Sequence, residues 1–382
     1  MRARGPLAFA VLLLVLVGVR LATAGGDDRA ERLLEEQVTG WLDAERRAAT
    51  RADLRRYNPE WDFMQRTFLV LALADAALAE PSRRDDLLPV MDDIIDDTLA
   101  QIEAHGPRWY LMDYADRAPF RNAGGRSLFV DGEVALMLGA RRLVRDDPAR
   151  AAEHQAWNAL IEQQFAESPA LLPESYPDEA WLFCVTNALV ALRMSDALDG
   201  GDHRPLVARW VQNARTHLLE ESSGLLGSEF TSDGVMQDGP EGSSIWLVAT
   251  NLLILDEPFA RDQYARARGA LYGSLAGLGY AREWGPGWKG PVDVDSGPIV
   301  PFLEASPSSS GFALMAATAF GDEPSRAALT RSLDAADLLV RLDPRLAALV
   351  DNAVGDAVLL HALTFGPLWA EIKGRLEERP GP

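Results

Sequence analysis

The chain has 382 residues, of which 48% are apolar and 25% charged; these are the proportions of a globular protein with a sizeable core, so disorder along most of its length is excluded. Its 57 acidic residues against 37 basic ones give a net charge of −20, which repels polyphosphate and excludes nucleic acid as a partner. The single cysteine, Cys184, cannot form an internal disulfide, which leaves a packed thiol, a reactive thiol or an intermolecular link.

In chain order, residues 1–24 stand apart. Arg2 and Arg4 precede an apolar run from Pro6 to Val19, and Ala22-Thr23-Ala24 follows it. That layout predicts either a cleaved secretory signal or, with Arg20 snorkelling, an N-terminal membrane anchor carried by residues 6–19. Either way the remainder is expected to be exported, in a periplasmic or extracellular location or held at the inner membrane.

Residues 27–378 carry almost no strand signal and a succession of amphipathic segments punctuated by Pro, Gly and Asp, which predicts an all-α domain. A first helix is expected over Asp28 to Ala48. Asn58 to Ala79 then joins Asp85 to Ala104 through Glu80-Pro81-Ser82, and Ser127 to Arg145 joins Ala149 to Ala166 through Asp146-Asp147-Pro148. Asp178 to Leu198 joins Pro205 to Leu219, Glu241 to Leu255 joins Phe259 to Leu278, and Ser308 to Phe320 joins a helix ending near Leu338. The result is five hairpins repeating about every 55 residues, each with a tight internal turn and a long external loop. Pairing the first helix with a C-terminal helix over Val354 to Arg375 makes a sixth unit. Six hairpins close into a single (α/α)6 barrel; an open helical array is the alternative.

Alternating tight and long connections put every long loop at one end, where a rigid scaffold usually carries its site. Acidic residues gather where these loops meet the helices: Glu60 and Asp62, Asp131 and Glu133, Asp178 and Glu179, and Glu241. The longest loop adds Asp293 and Asp295, which cap no predicted helix. Helix capping accounts for each of the other groups by itself. Trp61, Trp109, Tyr110, Tyr176, Trp181, Trp246, Trp284 and Trp288 fall near the same rim, and aromatic faces mixed with carboxylates suit a sugar or a terpenoid alcohol.

Gly132-Glu133, Tyr176-Pro177-Asp178 and Phe183-Cys184-Val185-Thr186-Asn187-Ala188, leading to Ala197-Leu198-Asp199-Gly200, resemble the linalool dehydratase-isomerase family. The resemblance extends from about Asn58 to Asp322, with Asp293-Val294-Asp295-Ser296-Gly297 at the family's acidic, Gly-rich stretch. It implies an (α/α)6 barrel that dehydrates and isomerises terpene alcohols without an organic cofactor. The second cysteine of the family's pair matches Cys184, while the first falls on Ser175 and the family's histidine on Glu133; its N-terminal aspartate has no counterpart.

The candidate catalytic groups are therefore Glu133 or Asp178 as acid, Asp62 or Asp295 as base, and Cys184; Trp61, Tyr176, Trp181, Trp246, Asp131 and Asp293 are the candidate substrate contacts. The five histidines show no paired ligand spacing, so no metal and no cofactor is implied, with calcium on Asp293 and Asp295 as the alternative. The leading expectation is acid-base chemistry of the dehydration or isomerisation type on a hydroxylated small molecule, which predicts a narrow, dry pocket. A glycoside hydrolase or polysaccharide-processing enzyme of six-hairpin type predicts an open groove with two carboxylates. A non-catalytic envelope binding protein predicts carboxylates that are only caps. The expected partners are thus a small molecule or a glycan, and a homo-oligomer is compatible with the sequence.

Overall fold

The computed structural model of the chain describes residues 29–289, 299–300, 303–342 and 353–378. The N-terminal segment read as a signal or anchor, and both Asp293 and Asp295, lie outside the described residues. Among the described residues no single helix is long and apolar enough to cross a membrane.

The predicted first helix is two. Helix α1 (Arg29–Leu42) stops at Asp43, whose carboxylate caps α2 (Ala44–Tyr57) by accepting from the Glu45 and Arg46 amides. The five hairpins follow as α3 (Pro59–Ala79) with α4 (Arg84–His105), α5 (Leu128–Val144) with α6 (Pro148–Glu167), α7 (Leu182–Asp199) with α8 (Arg204–His217), α9 (Gly242–Leu255) with α10 (Glu257–Ala270), and α11 (Pro307–Ala319) with α12 (Glu323–Leu342). Side-chain caps from Asn58, Asp147, Asp256 and Ser306 start α3, α6, α10 and α11, each with a proline in the first two positions, where the missing N–H costs nothing. The predicted C-terminal helix is also two, α13 (Ala353–Thr364) and α14 (Pro367–Glu378), because Gly366 at φ 138° precedes Pro367.

Helices α3, α5, α7, α9, α11 and α13 each pack on the next, and α13 returns to α3, so the barrel is closed and the open array is excluded. This is the all-α (α/α)6 toroid. Helix α1 lies against α13 and supplies the outer member of the sixth unit. The inner helices face neighbours on every side, so their apolar residues run all round: every residue of α5 is buried. The outer helices are amphipathic; α8 buries Val207, Trp210, Val211 and Ala214 at spacings of three and four. Each fully buried aromatic such as Phe63, Phe68 or Trp210 contributes roughly 2 to 3 kcal/mol of transfer free energy.

Helix α14 crosses the far end of the ring, touching α3, α5, α7 and α9. It is fastened by Asp75 of α3, whose Oδ1 accepts from the Leu368 amide at 2.8 Å and the Gly366 amide at 3.2 Å. Asp75 Oδ2 lies 3.2 Å from Nδ1 of buried His361, and Phe68, Phe365 and Trp369 surround that imidazole. With this floor in place, the ring opens only toward the N-terminal ends of its inner helices.

Strands, which the sequence does not signal, build the wall of that opening. In place of a helix beginning at Asp178, β1 (Ala180–Trp181) pairs antiparallel with β2 (Glu229–Phe230), and β2 pairs with β3 (Met236–Asp238) across a bulge. The helix predicted to Leu278 ends at Ala270, and β4 (Tyr272–Leu275) turns through Ala276-Gly277 into β5 (Leu278–Ala281). Gly242 opens α9 where a Cβ would stand 2.3 Å from the Arg282 carbonyl and 2.1 Å from Ser309 Oγ. Backbone cannot yield that much, so Gly242→Ala is expected to lower unfolding free energy by about 3 kcal/mol. Denaturant melts check this, and a loss below about 1 kcal/mol would show that the α9 N-terminus is not held as described.

Candidate active site

The open end of the ring holds a cavity of about 2280 Å³. Its wall includes Asn58, Glu60, Trp61 and Met64 from α3, Phe129 from α5, and Ser175, Tyr176, Glu179, Trp181, Phe183 and Cys184 on the approach to and start of α7. Glu229, Asp238, Glu241, Ser243 and Glu283 line the side of β2, β3 and α9, and Tyr280, Ser306, Ser308, Ser310 and Phe312 the side of β5 and α11.

Tyr176 organises one wall. Its hydroxyl donates a short hydrogen bond to Glu60 and accepts from the Met112 amide at 2.8 Å. Burial, together with the negative charge of Glu60, pushes the phenol far above its ordinary range, so it remains a proton donor to that carboxylate. The Tyr176 ring stacks on Tyr114 with centroids 4.5 Å apart, and the Tyr114 hydroxyl donates to Glu179 at 3.2 Å. The backbone makes this possible by turning sharply: the Ser175 and Tyr176 amides donate to the Glu179 carbonyl, with Asp178 in the left-handed region at φ 61°. Tyr176-Pro177-Asp178 is thus a turn, not a helix start.

Next along the wall, Trp181, Glu229 and Asp238 stand in register across the three short strands. Directly paired residues project from the same face, so one indole and two carboxylates form a row in the cavity wall. Glu241 is the N-cap of α9, which stands three places round the six-membered ring from α3 and therefore faces Glu60 across the mouth. Glu283 caps the same helix end from outside the helix: Oε1 accepts from the Ser243 amide at 2.8 Å and the Ser243 hydroxyl at 2.5 Å.

Behind the wall, a polar layer crosses the ring. Thr67 of α3 donates to Glu133 Oε2 of α5 at 2.7 Å, and Asn251 of α9 donates to Asn187 of α7 at 2.7 Å. Glu133 is fully buried, and Oε1 has no hydrogen-bond partner among the described residues. Burial raises its pKa to about 8, the Glu60 charge adds to the shift, and Thr67 and Asn187 pull the other way. It is a neutral carboxylic acid at pH 7. Burial likewise raises the Cys184 thiol well above its usual value, with Glu133 and Glu60 reinforcing the shift and Ser175 opposing it.

These positions sort the sequence-derived candidates. Tyr176, Trp61, Trp181 and Cys184 line the cavity, with Glu133 close behind them. Cys184 is a wall residue whose thiol burial keeps protonated, which does not suit a nucleophilic role, since a nucleophile must be a thiolate. Asp62 also borders the cavity but is committed to Arg66 at 2.9 Å and Arg55 at 3.6 Å; Arg66, fully buried, in turn holds Asp97 and lies over Trp41 and Tyr110. It is a structural anion, not a base. Asp131 is clamped by two Arg126 nitrogens at 2.5 and 2.7 Å and by Gln164, away from the cavity wall. Asp178 points to solvent beside Ser232 and Arg121, and Trp246 is a core residue whose indole donates to Ser309. Tyr110 is likewise core, stacked on Phe63. Among the described residues no group of three or more His, Cys, Asp and Glu is placed to hold a metal ion.

Glu36, Asp53, Glu60, Glu179, Glu229, Asp238, Glu241, Glu283, Asp337 and Asp356 are the described cavity carboxylates that the candidate set lacked. Glu60 had a usable signal, since it follows Asn58-Pro59 at a helix start and sits 200° round the helix from Asp62. Glu229 and Asp238 had none, because only their cross-strand pairing brings them to the wall.

The fold and cavity together define a six-hairpin helical toroid with an acidic, aromatic mouth. No known protein family and no curated protein matches the chain, so the likeness to linalool dehydratase-isomerases stands on the short motifs alone. Among solved structures the chain is similar to a GH76 alpha-mannanase from Bacteroides thetaiotaomicron, at 12% identity over 79% of this chain and 86% of that one, with a TM-score of 0.49.

Two tests follow from the buried acids. The folded pKa of Glu133 lies above its unfolded value, so the native state holds the extra proton between about pH 4.5 and 8 and loses stability as pH rises through that window. Glu133→Gln removes this slope, and the variant should match the parent near pH 4.5 and exceed it by several kcal/mol near pH 9. Superimposable pH-stability curves would refute a buried neutral acid. Cys184 is expected to resist an aromatic disulfide reagent at pH 8 in the native protein and to react within minutes once unfolded in guanidinium; rapid native labelling would contradict its burial.

Proposed function

We propose that this protein is a glycan-processing enzyme of the glycoside hydrolase type, acting by carboxylate acid-base chemistry. The observation that carries the proposal is the breadth of the cavity: about 2280 Å³ lined, among the described residues, by indoles, phenols, serines and eleven carboxylates suits an extended hydroxylated chain better than a small apolar alcohol in a dry pocket. Trp61, Trp181 and Tyr280 offer flat faces to sugar rings. Glycoside cleavage requires one carboxylic acid to protonate the leaving oxygen and a second carboxylate to stabilise or attack the anomeric carbon, or to activate water. Glu60 and Glu241, on opposed walls, are assigned these two roles. The Tyr176 hydroxyl orients Glu60 by its short hydrogen bond and supplies a donor where negative charge must be held.

A second function is favoured by one observation: Ser175, Cys184, Glu133 and Glu60 are close enough to influence one another's charge, which joins three positions that the dehydratase-isomerase resemblance picks out. In that case Glu60, in the wall, is the group that exchanges protons with the substrate, and Glu133, neutral at pH 7, acts on it from behind.

A panel of neutral and substituted oligosaccharides, assayed for new reducing ends, tests the first function. On the substrate found, Glu60→Gln and Glu241→Gln should each lower kcat/KM by about 10² to 10⁴ and Tyr176→Phe by a smaller factor, with helical content unchanged. Terpenoid alcohols assayed for alkene products run in parallel. Turnover there with silence on every glycan would overturn the hydrolase proposal in favour of the second.

A further inference from the structure

Among the described residues, eleven carboxylates line the cavity against five arginines, with no lysine or histidine. Each arginine is already neutralised: Arg29 by Asp334 and Asp337, Arg46 by Glu36, Arg47 by Asp93, Arg51 by Asp97, and Arg66 by Asp62 and Asp97. The field inside the cavity is therefore negative, and a uronate or phosphorylated sugar would be repelled. Within that field one group is poised for a ligand. Glu283 is 1% exposed, its Oε1 is fixed by the Ser243 amide and hydroxyl, and its backbone carbonyl accepts from the Gly242 amide at 2.7 Å. Its Oε2 has no hydrogen-bond partner among the described residues. A desolvated carboxylate oxygen left unpaired is costly, and a cationic donor offsets that cost more fully than a neutral hydroxyl does. Because two backbone and side-chain bonds lock the carboxylate, the unpaired oxygen is preorganised for such a donor.

We propose that the cavity selects a glycan bearing free primary amines, with the ammonium group of one sugar bound to Glu283 Oε2. This rests on the glycan-processing function above and names its substrate class. Glu283 is a specificity-determining contact and takes no part in bond cleavage. The preference should hold while the amine is protonated and fade as pH rises past the amine's pKa.

The test is calorimetric titration of the full chain with three oligomers of equal length: glucosamine, N-acetylglucosamine and glucose. At pH 6 the glucosamine oligomer should bind at least about tenfold tighter than the other two, which corresponds to about 1.4 kcal/mol. Glu283→Gln keeps an oxygen for Ser243 and should abolish that preference while changing affinity for the glucose oligomer less than about threefold. Equal binding of amino and neutral oligomers by the wild-type chain would overturn amine selection and leave the glycan function standing. Persistence of the preference in a folded Glu283→Gln protein would assign it to the overall negative field and overturn the role of Glu283. Binding of none of the three would remove the glycan function and the amine proposal with it. Should that variant not fold, Glu283→Asp, which keeps the charge but withdraws the carboxylate by one methylene, decides: loss of the preference supports the Glu283 contact, and an unchanged preference assigns it to the field and overturns that role.

Discussion

Closure of the inner ring, achieved when α13 packs against α3, is the constraint on which the rest of the molecule depends. A helix in a closed ring has no solvent face, so α5 and α9 must be apolar almost all the way round, and the few polar groups they carry inside must find one another. Thr67, Glu133, Asn187 and Asn251 do so from four successive inner helices. Closure also directs chemistry to one end. Helix α14 obstructs the C-terminal side, and the long connections, with their turns and short strands, are free to shape only the N-terminal side.

That side separates acids by depth. Glu133 lies below the wall, starved of water and protonated at neutral pH, whereas Glu60, Glu179, Glu229, Glu241 and Glu283 lie in the wall itself, Glu60, Glu179 and Glu283 seated there by hydrogen bonds from Tyr176, Tyr114 and Ser243. Six inner helices also direct their N-terminal ends at the mouth, and their partial positive charges moderate the cost of assembling so many anions there. Tyr176 links the layers, because the same phenol that holds Glu60 is positioned by the turn that starts the Cys184 helix. Here structure and proposed chemistry share residues: loosening that turn would disturb the wall and the ring together.

The hairpins were legible where local chemistry marks a helix start or end. Asn58-Pro59, Asp147-Pro148 and Ser306-Pro307 announce helix starts, and Gly200 at φ 80° and Gly321 at φ 67° mark ends. What was not legible depends on distant partners. The break at Asp43 lies in a polar stretch where capping and helix continuation look alike, and Asp178 resembles a helix cap until β1 finds β2 across about 50 residues. Among the carboxylates, Asp62 and Asp131 looked catalytic for the same reason that they are structural: burial demanded a charge, and Arg66 and Arg126 meet it. The acidic rim was thus visible as a region, while which oxygen faces the cavity required the turn at Asp178 and the pairing of Glu229 with Trp181 and Asp238.

The floor helix has a consequence for how the molecule comes into being. Asp75 binds the amide of Leu368 across a sequence separation of 293 residues, and the α13 to α3 seam is comparably remote. During synthesis the N-terminal hairpins emerge long before the segment that seals them, so for most of that time the ring is an open crescent with apolar inner helices bare along both edges. Loop-closure entropy must be met before this last contact returns any stability, which places ring sealing at the slow end of folding. The residues of α14 therefore govern whether the nascent chain is protected from association, although they contribute no group to the cavity.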